Sequence, residues 1–181
     1  MSNMTQEEAR KQLQGQRSRA MGKQFEDRIN ASFAYYKAKG FADVEKTPEP
    51  IKVLSKPDKY QRFTACFTSS AQPDYKGTMK GGRAVMFEAK FTWSAEQRLH
   101  QDAVTRGKNG RDGQWEYLDR QEALGARCYI LAGFLSGNVY RIPWADWKNM
   151  KAIYGRKYVT EENLGKYLVG ASWNNTLLLL G

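Results

Sequence analysis

Three charged side chains in the segment from Pro73 to Lys90 could do chemistry together. Asp74 precedes a glycine-rich turn, and Glu88 and Lys90 follow the turn, two residues apart, in a run that reads as a β-strand. Because successive side chains of a strand alternate between its faces, the Glu88 carboxylate and the Lys90 ammonium should emerge side by side. A hairpin through the glycines would bring Asp74 alongside Glu88. This set of residues is typical of a metal-dependent site that cleaves phosphodiester bonds.

The alternation of the Glu88 strand predicts two faces of different character. One face would carry Val85, Phe87, Ala89 and Phe91, and the other Ala84, Met86, Glu88 and Lys90. Two carboxylates in a small volume repel each other unless a cation lies between them. Oxygen ligands favour a hard cation, so we expect Mg²⁺, with Mn²⁺ able to substitute. The alternative from spacing alone is that Glu88 and Lys90 are solvent-facing charges on an edge strand.

A third acid, Glu26, lies on a predicted amphipathic helix. Between residues 22 and 40 the apolar side chains recur at helical spacing, and Gly40 is a stop signal. The apolar positions are Phe25, Ile29, Phe33 and Tyr36. An advance of about 100° per residue puts Glu26 at the rim of this stripe and Asp27 on the water side. A carboxylate at the rim is costly to bury without a partner, so Glu26 is the better candidate for a site acid, although a capping or surface role stays open.

Further short motifs follow one another along the chain. They are GKQFEDRIN (22–30), KTPEPIKV (46–53), DYKG (74–77), FEAK (87–90) and HQ (100–101), then GARCYILAGF and VYRIPW. Each motif is weak alone, but their order resembles that of the RecU-type Holliday junction resolvases, within the PD-(D/E)xK or restriction-endonuclease-like nuclease superfamily. The resemblance implies an α/β fold in which helices flank a mixed sheet. It also implies a projecting basic β-hairpin, or stalk, near residues 46–66.

The same resemblance implies an activity and roles for five side chains. The expected activity is that of a metal-dependent DNA endonuclease that resolves four-way junctions by paired nicks. Asp74 and Glu88 would bind the metal, and Lys90 would position or activate the attacking water. Glu26 would support the site, and Gln101 would be an accessory polar residue.

The sequence departs from the family pattern beside Asp74. Such proteins usually carry a Ser/Thr-rich stretch that ends in Thr immediately before the Asp-Tyr pair, whereas an Ala-Gln-Pro sequence precedes Asp74 here. Gln72 or Ser70 could take the place of the missing hydroxyl. The polar segment 107–115 looks like an added loop, and the sequence does not indicate its role.

The charge balance favours a polyanionic partner such as DNA. The 181 residues contain 29 Lys and Arg against 19 Asp and Glu, which gives a net charge of +10 and a pI of about 9.6. Residues 10–24 are rich in Lys and Arg, contain no acid and lack apolar periodicity. We therefore predict a flexible basic arm over residues 1–18 and a single nuclease domain over residues 19–181, although an ordinary disordered tail would look the same. The expected DNA contacts of the arm region are Arg17, Arg19 and Lys23.

The segment 46–66 mixes prolines, cations and aromatic residues. Aromatic rings can stack on unpaired bases while cations neutralise phosphates, so this composition fits a hairpin that contacts DNA. The alternative is a plain solvent-exposed β-ribbon. The expected contacts are Lys52, Lys56, Lys59, Tyr60 and Arg62.

Cysteine and histidine usage excludes several other chemistries. Cys66 and Cys128 each lie in an apolar strand-like run and read as reduced core residues, so a structural zinc site is not expected. The single histidine, His100, cannot supply a histidine-dependent nuclease site. We expect no small-molecule cofactor.

The sequence shows no targeting or membrane segment. The N-terminus is polar and lacks the apolar core of a signal peptide, which predicts a cytoplasmic protein without membrane association. The four leucines at 177–180 are too few to span a bilayer. We expect them to pack as a final strand or to contribute to a subunit contact.

The remaining elements complete a mixed α/β sandwich. Ser94 followed by Gln97 is typical of a capping box and predicts a helix that begins there. Residues 125–134 are almost continuously apolar, as is typical of a central strand covered on both faces. A turn at 135–138 leads to an edge strand, and C-terminal helices follow.

The symmetry of the expected substrate favours a homodimer. A four-way junction needs two matched nicks, and each chain carries one Asp74, Glu88 and Lys90 set, so a two-fold dimer is the economical assembly. Two other functions stay open. One is a less structure-selective duplex endonuclease or end-processing nuclease with the same site, and the other is a non-catalytic DNA-binding recombination protein.

Overall fold

The structure is a computed structural model that describes residues 6–68, 72–94, 96–172 and 175–180. Its helices are α1 (Gln6–Ala38), α2 (Gln114–Ala123), α3 (Trp144–Lys148) and α4 (Met150–Tyr154), with 3₁₀ turns at Gln101–Ala103 and Glu161–Tyr167. Its strands are β1 (Ala42–Lys46), β2 (Ile51–Val53), β3 (Ala65–Phe67), β4 (Tyr75–Met79), β5 (Ala84–Phe91), β6 (Leu99–His100), β7 (Arg127–Gly133), β8 (Val139–Pro143) and β9 (Tyr158–Val159).

Five of these strands form one mixed sheet in the order β1-β4-β5-β7-β8. The β5–β7 pair is parallel, and the other three pairs are antiparallel. The turn between β4 and β5 uses positive backbone φ angles at Gly81 (93°) and Gly82 (87°), which glycine adopts without steric cost. The resulting hairpin pairs Tyr75 with Phe87, so it carries Asp74 to the position beside Glu88. The predicted hairpin and the predicted fold class are confirmed.

The alternation of β5 places its apolar face in a core, as predicted, and its other face is buried as well. Val85 and Phe87 pack under α1, whereas Met86 faces the opposite core, which also contains Leu118 of α2. Glu88 lies on this second face and has an exposed fraction of 0%. The alternative of a solvent-facing charge on an edge strand is therefore wrong, because β5 is the middle strand of the sheet.

Helix α1 packs antiparallel to β5 through the predicted apolar stripe, whose four residues are all buried. The ring of Phe25 lies 5.7 Å from that of Phe91 at the end of β5, and the ring of Phe33 lies 5.1 Å from that of Phe87. The N-terminal part of α1 therefore extends past the end of the sheet at which β5 terminates.

Residues 6–18, part of the predicted flexible arm, are a continuation of α1. The expectation that this stretch lacks regular structure is wrong for these residues. Its Gln, Glu, Ala, Arg and Lys content favours helix even without an apolar face. Residues 1–5 of the predicted arm lie outside the described residues.

The predicted basic hairpin is present as a separate two-stranded sheet. Strands β2 and β3 pair antiparallel, with Lys52 opposite Cys66. Every residue from 51 to 66 is exposed, so the hairpin projects from the body of the protein. Cys66 is consequently not the core residue that we expected, because its strand pairs only with β2, whereas Cys128 is buried.

The helix expected to begin at Ser94 is not formed. Gln97 has a φ angle of 47°, in the left-handed region, and its side-chain amide donates a hydrogen bond to the Ser94 carbonyl. The chain then enters β6, which pairs with β9, and a 3₁₀ turn. The hydrogen bond from the Gln97 side chain thus competes with helix formation. Local hydrogen bonds from polar side chains to the backbone often have this effect.

Two of the four C-terminal leucines belong to the core. Leu177 and Leu179 are buried against α1, and Leu177 forms an isolated bridge with Ala171 rather than a regular strand. Leu178 is 45% exposed. None of the described helices combines the length and apolarity that crossing a membrane requires.

Ser32 couples α1 to this C-terminal segment. Its buried hydroxyl donates to the Arg28 carbonyl (2.9 Å) and accepts from the Leu177 amide (2.9 Å). Ser32→Ala should lower the free energy of unfolding by about 1–3 kcal/mol, because the Leu177 amide is left buried without a partner. Urea denaturation measures the change. The control Ser18→Ala, on the same helix, should be neutral or slightly stabilising because alanine is the better helix former. Equal losses in both variants would contradict this role.

Candidate active site

The structure brings Asp74 and Glu88 together at one end of the β4–β5 hairpin. The Asp74 backbone amide donates to Glu88 Oε2 over 3.2 Å. In return, the backbone amide of Ala89 donates to Asp74 Oδ2 over 2.9 Å. These two contacts fix the carboxylates relative to the hairpin backbone.

Two further side chains hold the other oxygen of Glu88. The Lys90 ammonium lies 2.6 Å from Glu88 Oε1, and the Gln114 amide donates to the same atom over 2.6 Å. The Gln114 carbonyl oxygen accepts in turn from the hydroxyl (3.1 Å) and the backbone amide (3.3 Å) of Thr105. The Glu88 carboxylate is thus oriented from two directions.

Sequence reasoning missed Gln114 because it lies in the segment 107–115, whose role was not apparent. A signal was present: Gly113 is followed three residues later by Glu116, which is a helix-start pattern. The Glu116 carboxylate does accept a hydrogen bond from the Gly113 amide (2.8 Å), and Gln114 is the first residue of α2. The contact with Glu88 spans 26 positions and has no local signature.

Burial raises the pKa of Glu88 from an ordinary 4.5 to about 7. The Lys90 ammonium opposes the shift and the nearby Asp74 carboxylate adds to it. The site thus contains one carboxylate whose negative charge is costly in the absence of additional positive charge.

The donor groups of this site fit a hard divalent cation. Asp74 and Glu88 supply carboxylate oxygens, which such ions prefer. The Thr47 amide donates to the Asp74 carbonyl (2.8 Å), and the Thr47 hydroxyl is buried without a hydrogen-bond partner among the described residues. Over the same residues no group of three or more His, Cys, Asp and Glu side chains converges. A bound cation would therefore rely on two carboxylates, with neutral oxygens completing its coordination.

Glu26 reaches the edge of this site through Lys46. Its half-exposed carboxylate forms an ion pair of 2.5 Å with the Lys46 ammonium. Lys46 ends β1 opposite Tyr75, and its pKa is raised by the hydrogen bond that it donates to Glu26 and further by the Asp74 charge. Among the described residues, Glu26 shows no hydrogen bond to Asp74 or Glu88. Lys46 lies in the KTPEPIKV motif but was not singled out from sequence.

The structure does not bring Gln101 into this arrangement. Its buried side-chain amide donates to the carbonyls of Trp147 (2.8 Å) and Lys148 (3.0 Å), which fastens the 3₁₀ turn to the end of α3. These contacts give Gln101 a structural task. Of the two residues considered as replacements for the missing hydroxyl, Gln72 accepts a hydrogen bond from Lys76 (2.6 Å), and Ser70 lies outside the described residues.

The cations predicted to contact DNA lie on two exposed elements. On the hairpin, the ring of Tyr60 lies 5.0 Å from both the Lys59 ammonium and the Arg62 guanidinium. Asp58 pairs with Arg62 at 2.9 Å and shapes the hairpin tip. The side chains of Arg17, Arg19, Lys23, Lys52 and Lys56 are exposed as well.

Comparison with known proteins identifies the family. Residues 20–179 match the family described as RecU, Recombination protein U. The Holliday junction resolvase RecU of Lactococcus lactis subsp. cremoris is 34% identical over 128 residues, which are 67% of this chain and 56% of that protein. The Streptococcus pneumoniae protein of the same name is 29% identical over 162 residues, covering 81% of this chain and 77% of that protein.

Among solved structures, the Holliday junction resolvase Hjc of Archaeoglobus fulgidus is similar to this chain. The match covers 80% of this chain and 87% of the Hjc chain, with 13% sequence identity and a TM-score of 0.42. The sequence match shows that the chain belongs to the RecU family. This chain spans little more than half the length of the first relatives it matches, 56% in the Lactococcus proteins.

The raised pKa of Glu88 predicts a pH-dependent stability of the metal-free protein. Between about pH 4.5 and 7 the folded state retains a proton that the unfolded state has released, so the free energy of unfolding should fall as the pH rises through this window. Glu88→Gln removes the ionisation and should raise the free energy of unfolding at pH 8 by on the order of 2–3 kcal/mol, with a smaller gain at pH 5.

Urea denaturation in the presence of a chelator at both pH values measures this difference. Asp102→Asn, a change at an exposed carboxylate, is the control and should behave like the wild type at both. A gain from Glu88→Gln that is the same at pH 5 and pH 8 would contradict the buried, shifted carboxyl group.

Proposed function

We propose that this chain is a metal-dependent, structure-selective DNA endonuclease that resolves four-way junctions by paired nicks. The observation that carries the proposal is the buried Glu88 carboxylate, in contact with Asp74 and held by Lys90 and Gln114. Membership of the RecU family supports it, because the relatives named above are Holliday junction resolvases. The net charge of +10 fits a polyanionic substrate.

In this proposal Asp74 and Glu88 hold Mg²⁺, for which Mn²⁺ can substitute. The bound ion supplies charge neutralisation at the scissile phosphate and lowers the pKa of a bound water. The protein contributes the rigid placement of its ligands. The Ala89 amide fixes Asp74, and Gln114, itself fixed by Thr105, orients Glu88.

Lys90 is the cation next to the reacting phosphate. Its ammonium group is largely buried and is positioned by Glu88, so it needs no rearrangement to offset charge that develops on the phosphate. Glu26 supports the site indirectly, because it holds the Lys46 ammonium where that charge also acts on Asp74. Gln101, with its amide bound to α3, contributes through the fold and not through contact with the substrate.

Two exposed elements would extend the DNA surface beyond this site. The N-terminal part of α1 projects at the end of the sheet at which β5 terminates, and it carries Arg17, Arg19 and Lys23. The projecting hairpin offers the Tyr60 ring for stacking on an unpaired base. Its cations Lys52, Lys56, Lys59 and Arg62 would neutralise nearby phosphates.

The function is tested by substituting each carboxylate of the site. Asp74→Asn and Glu88→Gln should each lower the cleavage rate by at least about 100-fold while DNA binding persists, because the phosphate contacts remain. The control Glu162→Gln, at an exposed position in the C-terminal 3₁₀ turn, should cleave like the wild type. Substantial turnover by either site variant at saturating Mg²⁺ would show that the site is misassigned.

The same assay compares four-way junctions, forks, single strands and linear duplexes in Mg²⁺, Mn²⁺ and Ca²⁺. Preferential, paired cleavage of junctions with Mg²⁺ supports the proposal. Equal cleavage of linear duplex would favour a general duplex or end-processing nuclease. Junction binding without cleavage in any of these ions would favour a non-catalytic recombination protein.

We also propose that the active species is a two-fold homodimer, because one chain offers one site for the two nicks. Light scattering at micromolar concentration should give about twice the chain mass of 20.7 kDa. The nicks should fall at symmetric positions and be religatable. Leu177 and Leu179 are already buried within the protomer, so the exposed apolar residues of the hairpin, such as Ile51 and Leu54, are the better interface candidates. A species that stays monomeric on junction DNA would contradict the dimer.

A further inference from the structure

A cleft of about 780 Å³ opens directly beside Lys90. Apart from Lys90, its lining comes entirely from one stretch of chain, residues 105–114, which ends at Gln114. We call residues 106–112 the basic loop, because they include Arg106, Lys108 and Arg111. The cleft is therefore continuous with the candidate active site and is bounded by cations.

The basic loop is held in a defined shape. The Glu116 carboxylate accepts hydrogen bonds from the amides of both Gly107 and Gly113, each at 2.8 Å, so one side chain ties the two ends of the loop together. A β-carbon on Gly113 would lie 2.5 Å from the Arg106 carbonyl carbon, so the two ends touch through their backbones. At the tip, positive φ angles at Asn109 (53°) and Gly110 (74°) close a turn that pairs Lys108 with Arg111.

Two cations on this loop, Lys108 and Arg111, are not paired with a carboxylate in the part of the chain that the structure describes. Both side chains are exposed. The one acid on the loop, Asp112, pairs with Arg120 (2.7 Å). By contrast, Lys148 on the neighbouring α3 pairs with two carboxylates, of which Asp119 is the nearer at 2.6 Å.

Arg106 is fixed in a different way. Its guanidinium lies 3.6 Å from the centre of the buried Trp115 ring, over the face of the indole. Such stacking leaves the in-plane N–H donors of the guanidinium free to bind oxygens. The loop thus presents two exposed cations, unpaired among the described residues, and one stacked cation along a single cleft.

From these observations we propose that Lys108 and Arg111, flanked by Arg106, form a phosphate-binding subsite for the strand that is cut. The subsite binds the DNA phosphate next to the scissile one, because the cleft begins at Lys90 and successive phosphates of a strand are about 3.4 Å apart along the helix axis. The proposal rests on the proposed nuclease function and extends it to the placement of the substrate strand.

The first test measures DNA binding in Ca²⁺, without a requirement for cleavage. The Lys108→Ala/Arg111→Ala variant should bind more weakly and should reduce the slope of log affinity against log salt by about 1.8, since each lost contact removes about 0.9. The matched control Lys80→Ala/Arg83→Ala removes the same charge from exposed positions at the β4–β5 turn, the opposite end of the strands, and should leave the slope unchanged. Equal reductions in both variants would overturn the subsite in favour of diffuse attraction.

The second test locates the phosphate. A single uncharged methylphosphonate is placed at each position around the cleavage point of a junction strand, and single-turnover cleavage is measured. Wild-type enzyme should lose rate at the position adjacent to the scissile phosphate. The loop variant should be slower on unmodified DNA and insensitive to that same substitution. Equal sensitivity of the two enzymes at every position would overturn the proposal.

The two tests separate this inference from the proposed function. If wild-type protein cleaves no DNA in Mg²⁺ or Mn²⁺, the nuclease proposal fails, while the salt-slope comparison still decides whether the loop binds phosphate. A second outcome is that the wild type cleaves and the loop variant has the same cleavage rate, the same salt slope of binding and the same response to each methylphosphonate. The subsite proposal then fails, while the nuclease proposal stands. Circular dichroism of both double variants checks that the exposed substitutions leave the fold intact.

Discussion

A fully buried carboxylate on the middle strand of the sheet governs the arrangement of everything around it. An ionised group there loses its hydration, and a neighbouring carboxylate, Asp74, adds repulsion. The Lys90 ammonium and the Gln114 amide offset part of this cost at one oxygen of Glu88. The other oxygen contacts the Asp74 backbone at 3.2 Å, which is a longer contact. The residual penalty favours a cation, so the same burial that weakens the metal-free site strengthens its affinity for positive charge.

This constraint also explains why distant segments converge on one end of the sheet. Glu88 belongs to β5, Gln114 begins α2, and Lys46 ends β1, so three separate elements must be correctly packed before the site is complete. The core beneath them is divided by the sheet into two clusters, one under α1 and one under α2 and α3. Packing of both layers therefore fixes the position of the charged groups to within hydrogen-bond distance, which a site built on loops alone would not achieve.

The sequence predicted the parts of this arrangement that depend on short-range patterns. The Asp74–Glu88–Lys90 set follows from strand alternation and two glycines, and the buried face of α1 follows from helical periodicity. The sequence did not predict Gln114 and Lys46 as part of the site, because their contacts arise from packing between elements that are far apart in the chain. Gln101 shows the reverse case, since a motif resemblance placed it in the site, whereas its amide is bound to α3. Ser94 and Gln97 matched a capping pattern, but a local side-chain hydrogen bond and a left-handed backbone prevent the helix.

Over the part of the chain that the structure describes, some cations of this basic surface are paired with carboxylates of the protein and others are not. Lys37, Lys46 and Lys148 each contact carboxylates and so stabilise local structure. Lys108 and Arg111 have no such partner within the described residues, because the two nearby acids are already engaged, Asp112 with Arg120 and Glu116 with backbone amides. Keeping two exposed cations unneutralised on a rigid loop increases self-repulsion, which is offset only when an anion binds. The net charge is therefore less informative as a total than through its unpaired members, two of which, Lys108 and Arg111, lie along the cleft beside Lys90.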